Sequence, residues 1–325
     1  MKPFEYASPR TKQQAVALLG ANDAALAGGT DLLALMKDEV VSPKRLVNIK
    51  DIDGLRGVRA GANGVSIGAL VTLADLSENE TIAKSYPLLY EAVVEAASPQ
   101  VRNMATLGGN ICQRPRCWYF RNGMGLLPKD AKGESLVLKG DNRYHAILGN
   151  EGPAYFVSPS TIVPALVAYN ARVQLFGPKG AREVELEKFF RVPMSEHERE
   201  HDLGSNEIIT EVILPAANGV KTGYYEVRQK EAFDWPLATC AVVLQMSGNT
   251  VKSARVVMGS VAPVPWVSKE AEAALVGKTL NEQTAMAVAN AALAPAKSLG
   301  KNKYKITVAK AAVKRAVLNA AKGGA

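Results

Sequence analysis

The chain has 325 residues but little cysteine, little histidine and no long apolar run, and each shortage removes a class of function. Its three cysteines, Cys112, Cys117 and Cys240, are an odd number without a CxxC pair. That argues against a disulfide framework and against an ordinary zinc site, and it suits a reducing folding compartment. The three histidines, His145, His197 and His201, form no evident catalytic set. The longest apolar runs, such as "ATCAVVLQM" and "IVPALVAY", fall well short of the roughly 20 residues of a membrane span, so no membrane insertion is expected. "MKPFEYASPR" holds no apolar signal core, which predicts a soluble chain with no address of its own. Internal repeats are missing, as is the G-x-G-x-x-G fingerprint, so a Rossmann NAD site is not expected.

What is present is ordinary globular material: 47% hydrophobic and 22% charged residues, in a chain longer than one core usually serves, hence two or three domains. The net charge of +8 suits an anionic cofactor, an acidic partner or nucleic acid. Basic residues are scattered among acidic ones except in "RPRCWYFR" and "KNKYKITVAKAAVKR", and no nucleic-acid module is recognisable. No nucleic acid is expected, and the second cluster reads as a solvated helix face.

Ser8-Pro9 reads as a helix start, with a helix over about 9–19 ended by Gly20. "AALA" (24–27) and "RLVNI" (45–49) read as strands around a helix capped by Thr30 or Asp31, which implies a parallel crossover unit. From Leu55 the pattern changes to a hairpin around Asn63-Gly64, helices over "LVTLADLSEN" and 86–97, a second hairpin around Gly177 to Gly180, and a strand at 207–215 closed by Pro215. Beyond "PAANGVKTG" come the strand "YYEVRQ" and two strands joined by Ser247-Gly248-Asn249. Helices near 269–276, 281–294 and 304–321 follow, giving a small sheet backed by helices. The expected domains are 1–54, 55–218 with an inserted loop at 111–157, and 219–325, an α+β architecture throughout.

Two glycine turns carry the chemistry: Gly28-Gly29-Thr30-Asp31 and Gly108-Gly109-Asn110. Either could be a bare tight turn. Glycine also lets successive N–H groups converge on a phosphate, with a following helix adding a favourable field. A pair of such turns in different domains, each with a nearby hydroxyl residue (Thr30, Thr106), suits a dinucleotide diphosphate held between domains. His197 and His201, spaced i, i+4 in "SEHEREHDLG", could bind a metal on a helix or simply belong to a charged surface helix; the surface helix is the expectation.

"ALAGGTDLLALMK", "IGALVTLADL", "SPQVRNMATLGGNICQR" and "EIITEVILP" resemble the FAD-binding medium subunits of molybdenum hydroxylases, the xanthine dehydrogenase, carbon monoxide dehydrogenase and aldehyde oxidoreductase type. The likeness covers essentially the whole chain, with AGGTD and TLGGN about eighty residues apart. It implies a two-lobe FAD-binding fold of the PCMH-like type, a small βαβ lobe plus an antiparallel sheet with helices, and a C-terminal sheet-and-helix domain. It implies FAD as cofactor, with Ala25, Leu26, Ala27, Gly28, Gly29, Thr30, Asp31 and Leu32 along the diphosphate. Thr106, Gly109 and Asn110 would approach from the other side, and Ala96, Ala97 and Ile209 would pack on the cofactor. Relatives have a lysine after the tyrosine of the third-domain strand; here Glu226 follows Tyr225, and Lys230 is the nearby candidate.

The same resemblance implies an oxidoreductase subunit in a heterotrimer with a molybdenum-cofactor large subunit and a 2Fe–2S small subunit, passing electrons through FAD to an acceptor. It needs no catalytic acid/base pair of its own. The alternative is a flavin-free subunit that bridges its partners. Cytoplasmic location is expected, or periplasmic location on a signal-bearing partner. One branch of the family carries a 4Fe–4S cluster on a loop after the GGN turn, and "CQRPRCWYFRNG" with the insertion through "KGDNRYHAILGNEGPAYFVSPS" resembles it. A cubane takes one thiolate per iron. Only Cys112 and Cys117 lie in this loop, and Ala154 stands where relatives have a ligand, so no cluster or other metal is expected. Arg114, Arg116, Trp118, Tyr119 and Phe120 are then expected to form a docking surface or flavin cover.

Overall fold

The computed structural model describes residues 1–230 and 233–323. The first lobe runs β1 (Glu5–Ala7), α1 (Lys12–Leu18), β2 (Asp23–Leu26), α2 (Leu32–Lys37) and β3 (Arg45–Asn48). Its strands form a parallel sheet in the order β1-β3-β2. The expected crossover is present, with β1 added at an edge. α1 starts at Lys12 rather than at Pro9, because Thr11 and Gln14 form a capping box in which each side chain accepts from the other's N–H.

The second lobe begins with β4 (Val58–Gly61) and β5 (Gly64–Gly68). Their turn residues are Ala62 and Asn63, and the positive φ falls on Gly64, one place later than the expected turn. Helices follow as α3 (Leu73–Ser77), α4 (Glu80–Ser85), α5 (Pro87–Glu95), α6 (Pro99–Arg102), α7 (Leu107–Ile111), α8 (Trp118–Arg121), α9 (Leu136–Lys139) and α10 (Val163–Ala168). Then come β6 (Arg172–Gly177), β7 (Gly180–Glu185), α11 (Leu186–Phe189) and β8 (Ile208–Pro215), completing an antiparallel sheet ordered β4-β5-β8-β6-β7. Ile67, Val173, Leu175 and Val212 pack beneath Leu73, Leu88, Leu89 and Val93, so the apolar stripe of α5 covers the sheet.

The third domain is β9 (Val220–Val227), β10 (Ala238–Ser247), β11 (Thr250–Gly259) and β12 (Trp266–Val267), antiparallel, with α12 (Lys269–Leu275), α13 (Glu282–Ala292) and α14 (Tyr304–Lys322). Ala309, Ala312, Val313, Ala316 and Val317 of α14 face Val242, Leu244 and Val256. A Cβ on Gly223 would lie 2.1 Å from the Ala316 carbonyl, so this glycine permits the close approach of helix to sheet. The solvated-face reading of "KNKYKITVAKAAVKR" fails at Lys305, which is 1% exposed. Its ammonium donates to the carbonyls of Tyr144 (3.0 Å), His145 (3.1 Å) and Ser260 (2.8 Å), while burial pushes its pKa down to about 7.

The insertion spans the molecule. At one end Phe120, Leu126, Leu127, Ala154 and Phe156 form a cluster with Leu35 of α2. At the other, Asn142 donates to Leu299 O and accepts from the Lys301 N–H, while Asn302 donates to the carbonyls of His145 and Ala146. These contacts bear on the residues expected to form a docking surface or flavin cover. Phe120 is buried, Arg114 pairs with Glu200, Arg116 and Arg121 pair with Asp31, and Trp118 and Tyr119 are half-buried around His145. The segment 194–204 is not helical either, so His197 and His201 lack the i, i+4 geometry. His197 is exposed; His201 is buried and stacked on Phe189 at 5.2 Å.

Candidate functional site at the meeting of two glycine turns

β2 ends at Leu26, and the chain turns through Ala27, Gly28, Gly29 and Thr30 before entering α2. Gly29 has φ +74°, and a Cβ on Gly28 would lie 1.7 Å from the Met104 carbonyl oxygen. Only glycine allows the first lobe to press on residues 104–105 of the second in this way. The two turns are therefore neighbours. Among the described residues, no acceptor faces the backbone N–H groups of Gly28, Gly29, Thr30 and Asp31. Thr30 is exposed. Open amides on a glycine turn that leads into a helix are donors for an anion.

The second turn differs. Thr106 is the N-cap of α7, and its hydroxyl accepts from the Gly109 N–H at 3.2 Å. The N–H groups of Leu107, Gly108 and Asn110 donate to Val71 O, Ala69 O and Thr106 O. The expectation of open amides on both turns is thus met at the first alone, because the GGN amides are spent inside α7 and on residues 69–71. Gly109 stays exposed beside the first turn's contact, and the Asn110 side chain accepts from the Ser160 hydroxyl at 2.5 Å. This turn can offer close backbone surface rather than a second set of donors.

The other predicted residues distribute around this pair. Ala96 caps the C-terminus of α5, and Ala97 has φ +53°. Arg102 donates to the carbonyls of Val94, Ala96 and Ala97, each at 3.0 Å, and so fixes that strained bend. Sequence reasoning missed Arg102; its place just after the Ser98-Pro99 helix start was the available signal. Ile209, buried on β8, adjoins Thr210, whose carbonyl accepts from the Ala69 N–H, so its strand is linked to the GGN turn through Ala69. Lys230 is exposed in the loop after β9, with its N–H on Asp234. Glu226 is almost wholly buried, accepts from the Tyr224 hydroxyl at 2.8 Å, and pairs with Arg228, which also holds Glu95 at the end of α5. Burial pushes its carboxyl up to about 7.

Asp31 lies at the flank facing the insertion. Its Oδ1 meets Arg116 at 2.9 Å and Arg121 at 2.8 Å. Burial pushes Arg116 down to about 10, with Asp31 opposing, and the guanidinium lies 4.3 Å from the Trp235 ring centre. Arg114, Arg116 and Arg121 thus outnumber Asp31 and Glu200 next to the open turn, a field suited to a diphosphate. Cys117 Sγ sits 3.2 Å from His145 Nε2, and burial raises the Cys112 thiol to about 12. Among the described residues, no three His, Cys, Asp or Glu side chains converge as a metal site. A groove of about 480 Å³ between Leu127, Pro128, Leu138 and Tyr155 is built within the insertion and is lined by neither turn.

Residues 2–217 match the family described as FAD binding domain in molybdopterin dehydrogenase, and residues 223–320 match the CO dehydrogenase flavoprotein C-terminal domain. The chain is 33% identical over 315 residues to the aldehyde oxidoreductase FAD-binding subunit of Escherichia coli, covering 95% of this chain and 96% of that one. It is 35% identical over 326 residues to the carbon monoxide dehydrogenase medium chain of Hydrogenophaga pseudoflava, covering 98% and 96%. A solved carbon monoxide dehydrogenase from that organism superposes with TM-score 0.77 at 33% identity, over 99% of each chain. No helix among the described residues is long and apolar enough to cross a membrane. The α+β layout and these matches place the chain in the family of FAD-binding subunits of molybdopterin-dependent oxidoreductases, with FAD as its cofactor.

Proposed function

We propose that the chain holds FAD between its first two lobes and serves as the flavin station of a larger molybdenum hydroxylase. In this reading a molybdenum-bearing large subunit oxidises the substrate and a 2Fe–2S small subunit delivers the electrons. FAD supplies the redox chemistry when bound, and the protein supplies binding, orientation and field. Residues 25–32 run along the diphosphate, with the open N–H groups of Gly28 to Asp31 as donors. The surface of Thr106, Gly109 and Asn110 closes the opposite side, while Ala96, Ala97 and Ile209 form the packing shell, and Lys230 lies on the third-domain side. The observation that carries the reading is the contact of Gly28 with Met104, which brings one open turn against the other lobe.

The insertion is read as free of an iron–sulfur cluster, supported by Ala154 lying wholly buried in the apolar cluster around Phe120 and by the Cys117–His145 contact. About four irons per chain would reverse that reading. Absorbance and reconstitution test the main one. The full-length chain should carry, or take up, flavin with a band near ~450 nm that belongs to the cofactor. A chain that binds no FAD under any reconstitution would favour the bridging, flavin-free role. Copurification with a molybdenum subunit and a 2Fe–2S subunit tests the assembly.

A further inference from the structure

The left-handed bend after α5 is held by one side chain rather than by backbone bonds. A helix that stops at a left-handed residue ordinarily places glycine there, with the following N–H groups bonded back to its last carbonyls. Here that residue is Ala97, at φ +53°. Among the described residues, neither the Ala97 nor the Ser98 N–H has a backbone acceptor. In place of those bonds stands the half-buried Arg102, whose Nη1 alone donates to the carbonyls of Val94, Ala96 and Ala97, each at 3.0 Å. Three carbonyl dipoles aimed at one point repel one another unless a cation sits among them. The bend leads directly to the contact between the lobes. Ser98 caps α6, and the N–H groups of Asn103 and Met104 donate to Pro99 O and Val101 O, so the bend sets where Met104 lies, and the Met104 carbonyl meets Gly28.

We propose that Arg102 is a positioning residue for cofactor binding: its guanidinium holds the Ala96–Ala97 bend in its left-handed form, so that the surface FAD packs on exists before FAD arrives. The proposal rests on the reading that Ala96 and Ala97 pack on an FAD held between the first two lobes. Without the guanidinium, alanine at position 97 returns to the backbone regions that L-residues prefer. Only the fraction of chains that still form the bend then accepts the cofactor. Two other roles for the arginine predict different outcomes. An arginine that touched FAD itself would lose affinity whatever residue stands at position 97. An arginine that served the fold alone would lower stability and leave the affinity of the folded chain unchanged.

The test uses the full-length chain stripped of flavin, with quenching of flavin fluorescence giving Kd for FAD and stopped-flow mixing giving its rates. Arg102→Met is expected to bind FAD roughly five- to thirtyfold more weakly, the scale of holding one L-residue in the left-handed region, with the loss in the association rate. In an Ala97→Gly background the same arginine substitution should cost less than about threefold, because glycine populates positive φ about as readily as negative. A loss of equal size in both backgrounds, a loss that lies in the dissociation rate, or no loss at all overturns the proposal. Gly28→Ala addresses the underlying reading separately, since its Cβ would strike the Met104 carbonyl and part the lobes. Weaker FAD binding there supports a site between the lobes, and unchanged binding removes that reading whatever the arginine variants do. Should Arg102→Met fail to fold, Arg102→Gln in the same two backgrounds carries the same decision.

Discussion

Acid should loosen this protein through His201, by an amount the structure sets. The imidazole is 6% exposed and stacks on Phe189 with the rings 6° from parallel. Its Nδ1 accepts from the Leu203 N–H at 3.4 Å, while Nε2 has no partner. Burial, with Arg199 and then Arg114 adding repulsion, lowers its pKa from 6.5 to about 3. Between pH 3 and pH 6.5 the folded chain therefore binds fewer protons than the unfolded chain, so stability is whole above pH 6.5 and falls as pH drops through that window. At about 1.4 kcal/mol per pH unit, the two units from pH 6.5 to 4.5 amount to roughly 3 kcal/mol. His201→Phe keeps the stacking and removes the titration. Urea unfolding at pH 7.5 and 4.5 should show the wild type losing roughly 3 kcal/mol more than the variant, other groups being common to both. Equal losses in the two proteins would refute a buried, neutral His201.

Two further perturbations probe the insertion and the thiols. Lys305→Met orphans three buried carbonyls and should destabilise the chain by roughly 3–5 kcal/mol, measured by urea unfolding, with faster proteolysis within 129–140 as a second readout; unchanged stability would contradict the clasp. Burial raises the thiols of Cys112, Cys117 and Cys240, so iodoacetamide at pH 8 should label the folded chain slowly and all three cysteines promptly in urea, as read by mass spectrometry.

Local signals were legible and long-range pairings were not. β2, α2 and β3 follow from an apolar run, a glycine turn and a second apolar run within about thirty residues. α14 follows from alanine and valine recurring at helical spacing, yet the same rule placed Lys305 on the wet face, since no local feature announces the three carbonyls of the insertion and Ser260 that accept from its ammonium. "SEHEREHDLG" has helix-like charge spacing, but Glu200 is drawn to Arg114 at 2.7 Å, far away in sequence, and His201 to Phe189, outside the segment. Thr106 three residues before Gly109 is an N-cap pattern that in itself signalled occupied amides on the GGN turn. Asp31 carried no comparable signal. Its partners Arg116 and Arg121 lie more than eighty residues away.

That pairing changes what the insertion is for. A loop that merely covered the flavin would need contacts with one lobe. This one grips α2 through Leu35 and Asp31, and the third domain through Asn142, Asn302 and Lys305. Each grip uses groups that are costly to leave unpaired once buried, so partial release at one end is disfavoured and the insertion behaves as a strut. A strut of this kind ties the Gly28–Asp31 turn to the third domain, whose Arg228 in turn pairs with Glu226 and with Glu95 beside Ala96. In the proposed function the protein supplies binding and orientation of the flavin, and the strut's contribution is the spacing on which that orientation depends.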